Sequence, residues 1–443
     1  MAGLARRLYA YAFLEDLILL YPVYALLFAE HGLSAAEIST LFIIWSCVTF
    51  VVEIPSGLWA DVFSRRRLLI LAPLVTGAGY ALWTWLPSYP AFAAGFVLWG
   101  VGGSLCSGTL QALVYEELER WGNAGSYARL MGRSQALGMT AMMAATALAA
   151  PVMHFGGYAT VGSASVAVSL LGALVGRSFP ETRGERDEAR APEQTATASR
   201  ELDTAAHAPG FLTVLRTGLG ELRASRSARN AVLLTSAVTG ALMIDEYVPL
   251  LIGSMDVGDS SVPLLMLLVT VGVAVGGWCA GRGARLLGPA LAVAALALAA
   301  GALSGPSGAV LLALAFGIFQ WAMVTCDAML QERVTDRARA TVSSVAGVGA
   351  EVISVLLCAG YALGSQLWDH STLFVLAAVP YLLIALALQG HARARVRGRT
   401  RAGSREKRRR RRSGRRNPGS GHRVRFPRVD ASEQAHTGWR DDG

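Results

Sequence analysis

The feature that most constrains this chain is its series of long apolar runs, separated by short polar segments. A helix needs about 20 apolar residues to cross the hydrocarbon core of a bilayer, which is roughly 30 Å thick. Twelve runs reach that length, so the sequence predicts an all-α polytopic membrane protein with 12 transmembrane helices. The predicted spans are approximately residues 8–29, 36–56, 68–86, 91–115, 131–151, 158–176, 230–252, 261–281, 286–303, 307–330, 342–365 and 371–389.

The composition excludes the main alternative, a large soluble enzyme with an extensive core. The 443 residues are 53% hydrophobic and 16% charged, whereas soluble domains carry about 25% charged residues. The five cysteines lie singly within apolar runs, so neither a disulfide framework nor a metal site is expected. We also expect no cofactor and no enzymatic activity. The protease-like string at Gly305–Gly308 lies in a short connection, and no span holds a histidine well inside it to act as a base.

Lysine and arginine are confined to alternate connections. Six connections contain neither residue, while the N-terminus, the intervening connections and the C-terminal tail hold every Lys and Arg of the chain. Because positive charge is retained on the cytoplasmic side of a membrane, we predict that both termini are cytoplasmic, in an inner or plasma membrane. The first apolar run is too long for a cleavable signal peptide and contains Glu15 and Asp16.

The predicted organisation has four parts, which are a six-helix bundle (1–176), a cytoplasmic linker (177–229), a second six-helix bundle (230–390) and a basic tail (391–443). The end of the linker is interpreted either as an amphipathic helix on the membrane surface or as an extension of span 7. The tail has 18 Lys and Arg against 5 Asp and Glu. We expect it to be disordered, either near anionic lipids or as a solvated accessory, with no nucleic-acid partner.

A short loop between spans 2 and 3 reads GLWADVFSRRRLL over residues 57–69. Its three consecutive arginines mark one face of the membrane. A weak copy, GWCAGRGARLL at residues 277–287, follows span 8 and lacks the aspartate. Repeated six-span units are a recognised transporter architecture. The repeat therefore predicts two pseudo-symmetric six-helix bundles.

The loop, the twelve spans and the long middle linker together resemble the major facilitator superfamily of transporters, over about residues 8–390. The family's loop pattern is retained at Gly57, Ala60, Asp61, Arg65, Arg66 and Leu69 and changed at Trp59, Val62 and Ser64. The resemblance implies alternating-access transport of a small molecule, and we interpret the chain as a member of a drug-efflux-like branch.

The same resemblance implies a conformational latch formed by Gly57, Asp61, Arg65 and Arg66. In the family the aspartate contacts the start of helix 11, which in this sequence lies near Arg339. Breaking such a contact would bias the two conformations by about 1–2 kcal/mol. The alternative is that Asp61 and the arginines only anchor the topology.

Acidic residues inside the spans form a second group of candidates. Each costs roughly 2.5–3.5 kcal/mol near the bilayer centre, so it usually faces a cavity. Candidates for proton coupling or for the cavity are Glu15, Asp16, Glu53, Asp245, Glu246, Asp327 and Glu351. The resemblance places helices 1, 4, 7 and 10 around a central cavity, which favours Asp16, Asp245 or Glu246, and Asp327. The alternative is a buried ion pair, for which the candidate partners are Glu116, Arg133 and Arg339.

Aromatic residues are predicted to line an apolar pocket with few polar groups, or else to anchor at the bilayer interface and pack between helices. They are Tyr21, Tyr24, Trp99, Tyr247 and Trp321. Together these features predict a monomeric secondary transporter in the lipid bilayer that exports amphipathic or drug-like compounds and is coupled to protons. The alternatives are an uptake symporter or facilitator for a small metabolite, and a non-transporting sensor or scaffold. In the family that the chain resembles, transporters that exchange drugs for protons often carry an arginine in helix 4. Span 4 has none, which weakens the expectation of an antiporter.

Overall fold

A computed structural model describes residues 2–180, 220, 225–255, 257–280, 283–333 and 339–390, with no side chains given for 2, 53–62, 259 and 339–341. These residues are helical or in turns, and no strand occurs among them. Residues up to Gln389 form one compact unit. The basic tail lies outside the described residues, as does most of the predicted amphipathic helix at the end of the linker.

Fourteen helices account for the described part of the chain. Their bounds are α1 (Ala2–Asp16), α2 (Tyr24–Glu30), α3 (Ala35–Val62), α4 (Arg65–Trp85), α5 (Tyr89–Cys106), α6 (Thr109–Arg120), α7 (Tyr127–Gly176), α8 (Arg226–Ala241), α9 (Val248–Gly253), α10 (Val262–Cys279), α11 (Leu287–Leu303), α12 (Ala309–Gln331), α13 (Arg339–Gly364) and α14 (His370–Gly390).

These helices assemble into the twelve predicted spans. Ten segments of the described residues are long and apolar enough to cross a membrane, and one of them, Ala124–Gly176, has 53 residues. That segment crosses twice, because Gly157 at φ 62° and ψ −162° turns the chain within α7. Helices α1 and α2 together form span 1. The prediction of an all-α, polytopic membrane protein is therefore confirmed.

Spans 1 and 7 are interrupted near their middle. Span 1 leaves the helical conformation after Asp16 and resumes at Tyr24, and Pro22 lies in the gap. Proline lacks a backbone N–H and disfavours helix for the preceding residue, which explains the break. The Leu20 N–H, freed by the break, donates to Ser165 Oγ at 3.1 Å. Span 7 passes from α8 through a 3₁₀ segment, Leu242–Tyr247, before α9 begins.

Helices pack against one another within each half of the chain, and a smaller set of contacts joins the two halves. In the first half, α4 lies against α5 and α7, and α1 lies against α7. In the second half, α12 lies against α10 and α11, and α8 lies against α13. Between the halves, α3 packs on α13, and α7 packs on α10. The cavity described below lies among these elements.

The predicted loop at residues 57–67 is largely helical, which is a correction. Helix α3 continues to Val62, α4 begins at Arg65, and only Phe63 and Ser64 connect them. Ser64 caps α4 by accepting a hydrogen bond from the Arg67 N–H at 3.2 Å. The apolar length required by a bilayer is a minimum, so a helix can extend beyond it into the polar region. We call the membrane side that carries this connection the arginine-bearing face, and the other side, at residues 31–34, the opposite face.

Glycine allows α10 and α12 to touch. A Cβ atom built on Gly276 would overlap the Gly317 carbonyl, and one built on Gly317 would lie 2.6 Å from the Gly272 carbonyl oxygen. Small residues let membrane helices approach closely, because lipid provides no hydrophobic drive for their association. The contact between α10 and α12 therefore depends on the missing side chains.

We expect Gly276→Ala to destabilise the protein by about 1–3 kcal/mol, the usual cost of overpacking. Gly360→Ala is the matched control, because it is also within a membrane helix and a Cβ there would meet nothing within 4 Å. Thermal unfolding in detergent should show a lower Tm for the first variant and an unchanged or higher Tm for the second. Equal Tm values would contradict the close contact.

Candidate functional site

A cavity of about 280 Å³ lies between the two halves, near the middle of the membrane helices. Seven of its lining residues come from the first half and nine from the second. The lining residues are Tyr21, Pro22, Tyr24, Trp45, Trp99, Met142, Thr146, Asp245, Glu246, Val248, Pro249, Met266, Val269, Thr270, Val273 and Phe316. We call this space the central cavity.

The first half contributes an aromatic wall. Trp45 and Trp99 stack with ring centroids 4.8 Å apart and planes at 15°, and Tyr21 stacks on Trp99 at 5.4 Å and 20°. Tyr24 meets Trp99 edge-on at 6.0 Å. Such pairs are worth about 0.5–1.5 kcal/mol beyond the area that they bury. The wall is consequently held in shape by contacts among its own rings.

The second half contributes two carboxyl groups. Asp245 and Glu246 lie on the 3₁₀ segment that interrupts span 7 and line the central cavity. The Tyr24 hydroxyl donates a hydrogen bond to Glu246 Oε2, across the boundary between the halves. An acidic pair inside a membrane helix is tolerated where it faces a cavity and finds hydrogen-bond partners. The broken helix therefore presents charge where a small molecule could reach it.

Further contacts join the halves between the cavity and the opposite face. Tyr247 donates to Ser39 Oγ at 2.8 Å and stacks on Tyr361 with centroids 3.7 Å apart. Ser46 donates to Glu351 Oε2, again from the first half to the second. Ser46 lies about 16 Å along α3 from its start at the opposite face, at 1.5 Å per residue. These contacts close the opposite face down to about mid-membrane.

Glu15 and Asp16 lie at the end of α1, beside the aromatic wall. Glu15 accepts a hydrogen bond from the Cys106 thiol and lines a second cavity of about 70 Å³, which shares Tyr21 and Trp99 with the central one. Asp16 faces Gly138 of α7, where a Cβ atom would collide with its Oδ2. The two cavities are thus neighbours across a pair of aromatic rings.

The central cavity has no positive charge in its walls, since none of its lining residues is Lys, Arg or His. No metal-binding group of three or more His, Cys, Asp or Glu side chains occurs among the described residues. The carboxyl groups of the cavity can therefore be neutralised by protons or by a bound molecule, but not by a neighbouring basic side chain in its wall.

Five of the predicted site residues come together at the central cavity, namely Tyr21, Tyr24, Trp99, Asp245 and Glu246. Glu351 lies at the contact between the halves. Glu53, Gly57 and Asp61 belong to α3 and Arg339 opens α13, but their side chains are not described. The contact of Asp61 with the start of span 11, which is α13 in this structure, stays a prediction.

Three predicted cavity residues lie elsewhere, which corrects the sequence interpretation. Tyr247 is fully buried in the contact with Ser39 and does not line the cavity. Trp321 lines a groove of about 830 Å³ on the outside of the second half, between α10 and α12. Asp327 is exposed one turn from the end of α12 and is 3.5 Å from the Gln331 amide. Sequence position gives the helix of each residue but not the side of the helix that it faces.

The predicted ion pair of Glu116 with Arg133 is replaced by another one. Arg65 Nη1 lies 2.6 Å from Glu116 Oε2, and the Arg65 side chain is only 12% exposed. Arg133 is exposed. The pair joins α4 to α6, so among the described residues the ion pair of Arg65 lies within one half and stabilises it.

Sequence analysis missed Trp45, which stacks directly on Trp99, together with Met142 and Phe316. One feature of the sequence could have indicated the position of the site. Spans 1 and 7 each carry two adjacent acidic residues followed within seven positions by proline, as EDLILLYP and DEYVP. Broken helices with polar groups at the break often form transporter binding sites. The shared pattern would have pointed to Asp245 and Glu246 ahead of Asp327.

The Arg65–Glu116 pair gives a direct test. Removing either charge should destabilise the protein by about 1 kcal/mol, because the pair is only partly shielded from solvent. We expect Arg65→Gln and Glu116→Gln to lower Tm in detergent and the double variant to lower it no further. Arg133→Gln is the control and should leave Tm unchanged. Additive losses in the double variant would show that the two side chains act separately.

The family model of the Major Facilitator Superfamily matches residues 10–356. No curated protein matches the chain in sequence. Several solved structures match in fold. The nucleoside transporter NupG superposes with a TM-score of 0.65 at 13% identity, covering 88% of this chain and 98% of NupG. The POT family transporter PepTSo gives 0.61 at 13%, covering 88% and 98%. A D-xylose-proton symporter gives 0.59 at 16%, covering 87% and 96%. At these identities the likeness extends to the fold alone.

Proposed function

The chain belongs to the Major Facilitator Superfamily, and on that premise we propose that it carries a small organic solute across the membrane by alternating access, coupled to protons. Membership identifies a transporter and not an enzyme. The observation that carries the proposal is the central cavity, which both halves build and which closes toward one face. A pocket between two rigid halves is accessible from alternate sides when those halves rock about it.

The arginine-bearing face is proposed to be cytoplasmic, so that the closed side is external and the conformation is open inward. The asymmetric distribution of Lys and Arg supports this orientation. Exposed positions at Gly103, Ser107 and Gln111 support the inward route. They recur every four residues along span 4, and a polar stripe facing lipid would be costly. The basic tail would then lie near the anionic inner leaflet.

Labelling tests the orientation. In a chain whose cysteines are replaced by serine, Ser88→Cys should react with a membrane-impermeant maleimide in intact cells, since Ser88 is exposed at the opposite face. Glu119→Cys, exposed at the arginine-bearing face, should react only after permeabilisation. The reversed pattern would overturn the proposed orientation.

Proton coupling is proposed to involve Glu246, with Asp245 beside it. Burial in a low-dielectric site favours the neutral form of a carboxyl, and a proton is the simplest neutralising ligand. A carboxyl that binds either a proton or the solute, but not both, exchanges one for the other. That exchange favours export of amphipathic or drug-like solutes against an inward proton gradient. The likeness to a D-xylose-proton symporter favours uptake as the second candidate.

Everted membrane vesicles energised by respiration test coupling, with proton release followed by a pH-sensitive dye. Addition of a transported amphipathic solute should release protons in wild-type vesicles, and Glu246→Gln should reduce that release by about tenfold or more, the equivalent of about 1.4 kcal/mol. Asp327→Asn is the control, because Asp327 does not line the cavity. Solute movement that a protonophore does not change would support a facilitator. No movement of any solute would support a non-transporting sensor or scaffold.

A further inference from the structure

We propose that the solute of the central cavity is a monovalent organic cation, held between the aromatic wall of the first half and the Asp245–Glu246 pair of the second. This inference rests on the proposed transport function, which it narrows to one substrate class. The four aromatic residues of the wall are Tyr21, Tyr24, Trp45 and Trp99.

The first step is the charge balance of the site. Asp245 and Glu246 are adjacent in the chain and both line the cavity, whose walls contain no basic residue. The central parts of all twelve spans contain no Lys or Arg, so no span supplies a basic side chain that could neutralise the acidic pair. A buried carboxylate requires a partner of opposite charge or a proton. A cationic solute supplies that partner, whereas a neutral solute leaves the charge as it was.

The second step is the aromatic wall, which is independent of the carboxyl groups and points to the same ligand. A cation within about 6 Å of an aromatic ring is attracted by the ring's quadrupole, most strongly by tryptophan. Trp99 has Trp45 at 4.8 Å and Tyr21 at 5.4 Å on stacked faces, so several rings meet at one side of the cavity. Groups of aromatic rings are the usual receptors for quaternary ammonium ions.

The third step is size and polarity. A volume of about 280 Å³ is near the lower end of the usual range for small-molecule sites, which is roughly 300–1,000 Å³. Apart from the acidic pair, the two tyrosines and the indole N–H groups of Trp45 and Trp99, the polar side chains of the wall are Thr146 and Thr270. A sugar or a nucleoside would leave many of its hydroxyl groups unpaired in such a wall. An amphipathic cation with few hydrogen-bonding groups fits better.

Tyr24 connects the two parts of the site. Its ring belongs to the aromatic wall, and its hydroxyl donates to Glu246. A quaternary ammonium ion cannot donate a hydrogen bond, so it would neutralise Glu246 through charge alone and could replace that hydroxyl. Tyr24→Phe retains the ring and removes the donor. We therefore expect this variant to bind the cation at least as well as the wild type.

The test uses two molecules of the same shape, phenyltrimethylammonium and its neutral isostere tert-butylbenzene. Purified full-length protein in detergent is titrated by calorimetry with each, and protein-free micelles provide the blank. We expect the cation to bind at least about tenfold more tightly, and Glu246→Gln to weaken it by about tenfold or more. Asp327→Asn should bind as the wild type does.

The cation proposal would be overturned by the wild-type protein alone if it bound the two molecules with equal affinity or bound the neutral one more tightly. The assigned site would be overturned if two monodisperse variants, Glu246→Gln and Asp245→Asn, each bound the cation as tightly as the wild type. The vesicle assay separates this result from the transport proposal. Proton release by neutral solutes alone would leave transport standing and reject the cation, whereas cation binding without movement of any solute would reject transport.

Discussion

The interruption of spans 1 and 7 is the constraint on which the rest of the structure depends. In a bilayer, every backbone N–H and C=O must find a partner within the protein, so a helix can break only where neighbouring side chains or a water-filled space meet the freed groups. Ser165 meets this need at Leu20. The breaks consequently fix where the central cavity lies. The acidic pair of span 7 lines that cavity, and Glu15 of span 1 lines the neighbouring one.

The contact between the halves relies on hydrogen bonds to carboxyl groups, one of which lies in the cavity wall itself. Tyr24 and Ser46 of the first half donate to Glu246 and Glu351 of the second. A hydrogen bond to an ionised carboxylate is roughly twice as strong as one between neutral groups. The contact between the halves is therefore strongest when these carboxyl groups are charged, and the protonation state of the second half affects how firmly the first half is held.

The sequence was sufficient for the spans, because hydrophobic length and the distribution of arginine are local properties that the bilayer imposes directly. The sequence also predicted which helix carries each site residue, but it did not predict which side of that helix the residue faces. Tyr21 directly precedes Pro22, and Tyr247 lies two residues before Pro249 in the equivalent span. Tyr21 nevertheless lines the cavity, whereas Tyr247 is buried against Ser39. Trp45 was missed because nothing in its own span distinguishes it from a packing residue. The partner of Glu116 depends on how α4 packs against α6, a tertiary contact that the hydrophobic pattern does not determine.

Tyr24 shows why binding and movement can share the same atoms. Its ring packs on the aromatic wall, and its hydroxyl joins the halves at Glu246. A solute that approaches Glu246 must compete with that hydroxyl, so occupation of the cavity weakens a contact that keeps the opposite face closed. A ligand shifts a conformational equilibrium only through its different affinities for the two states. Competition for one carboxylate provides that difference, and no long pathway between a binding site and a gate is needed.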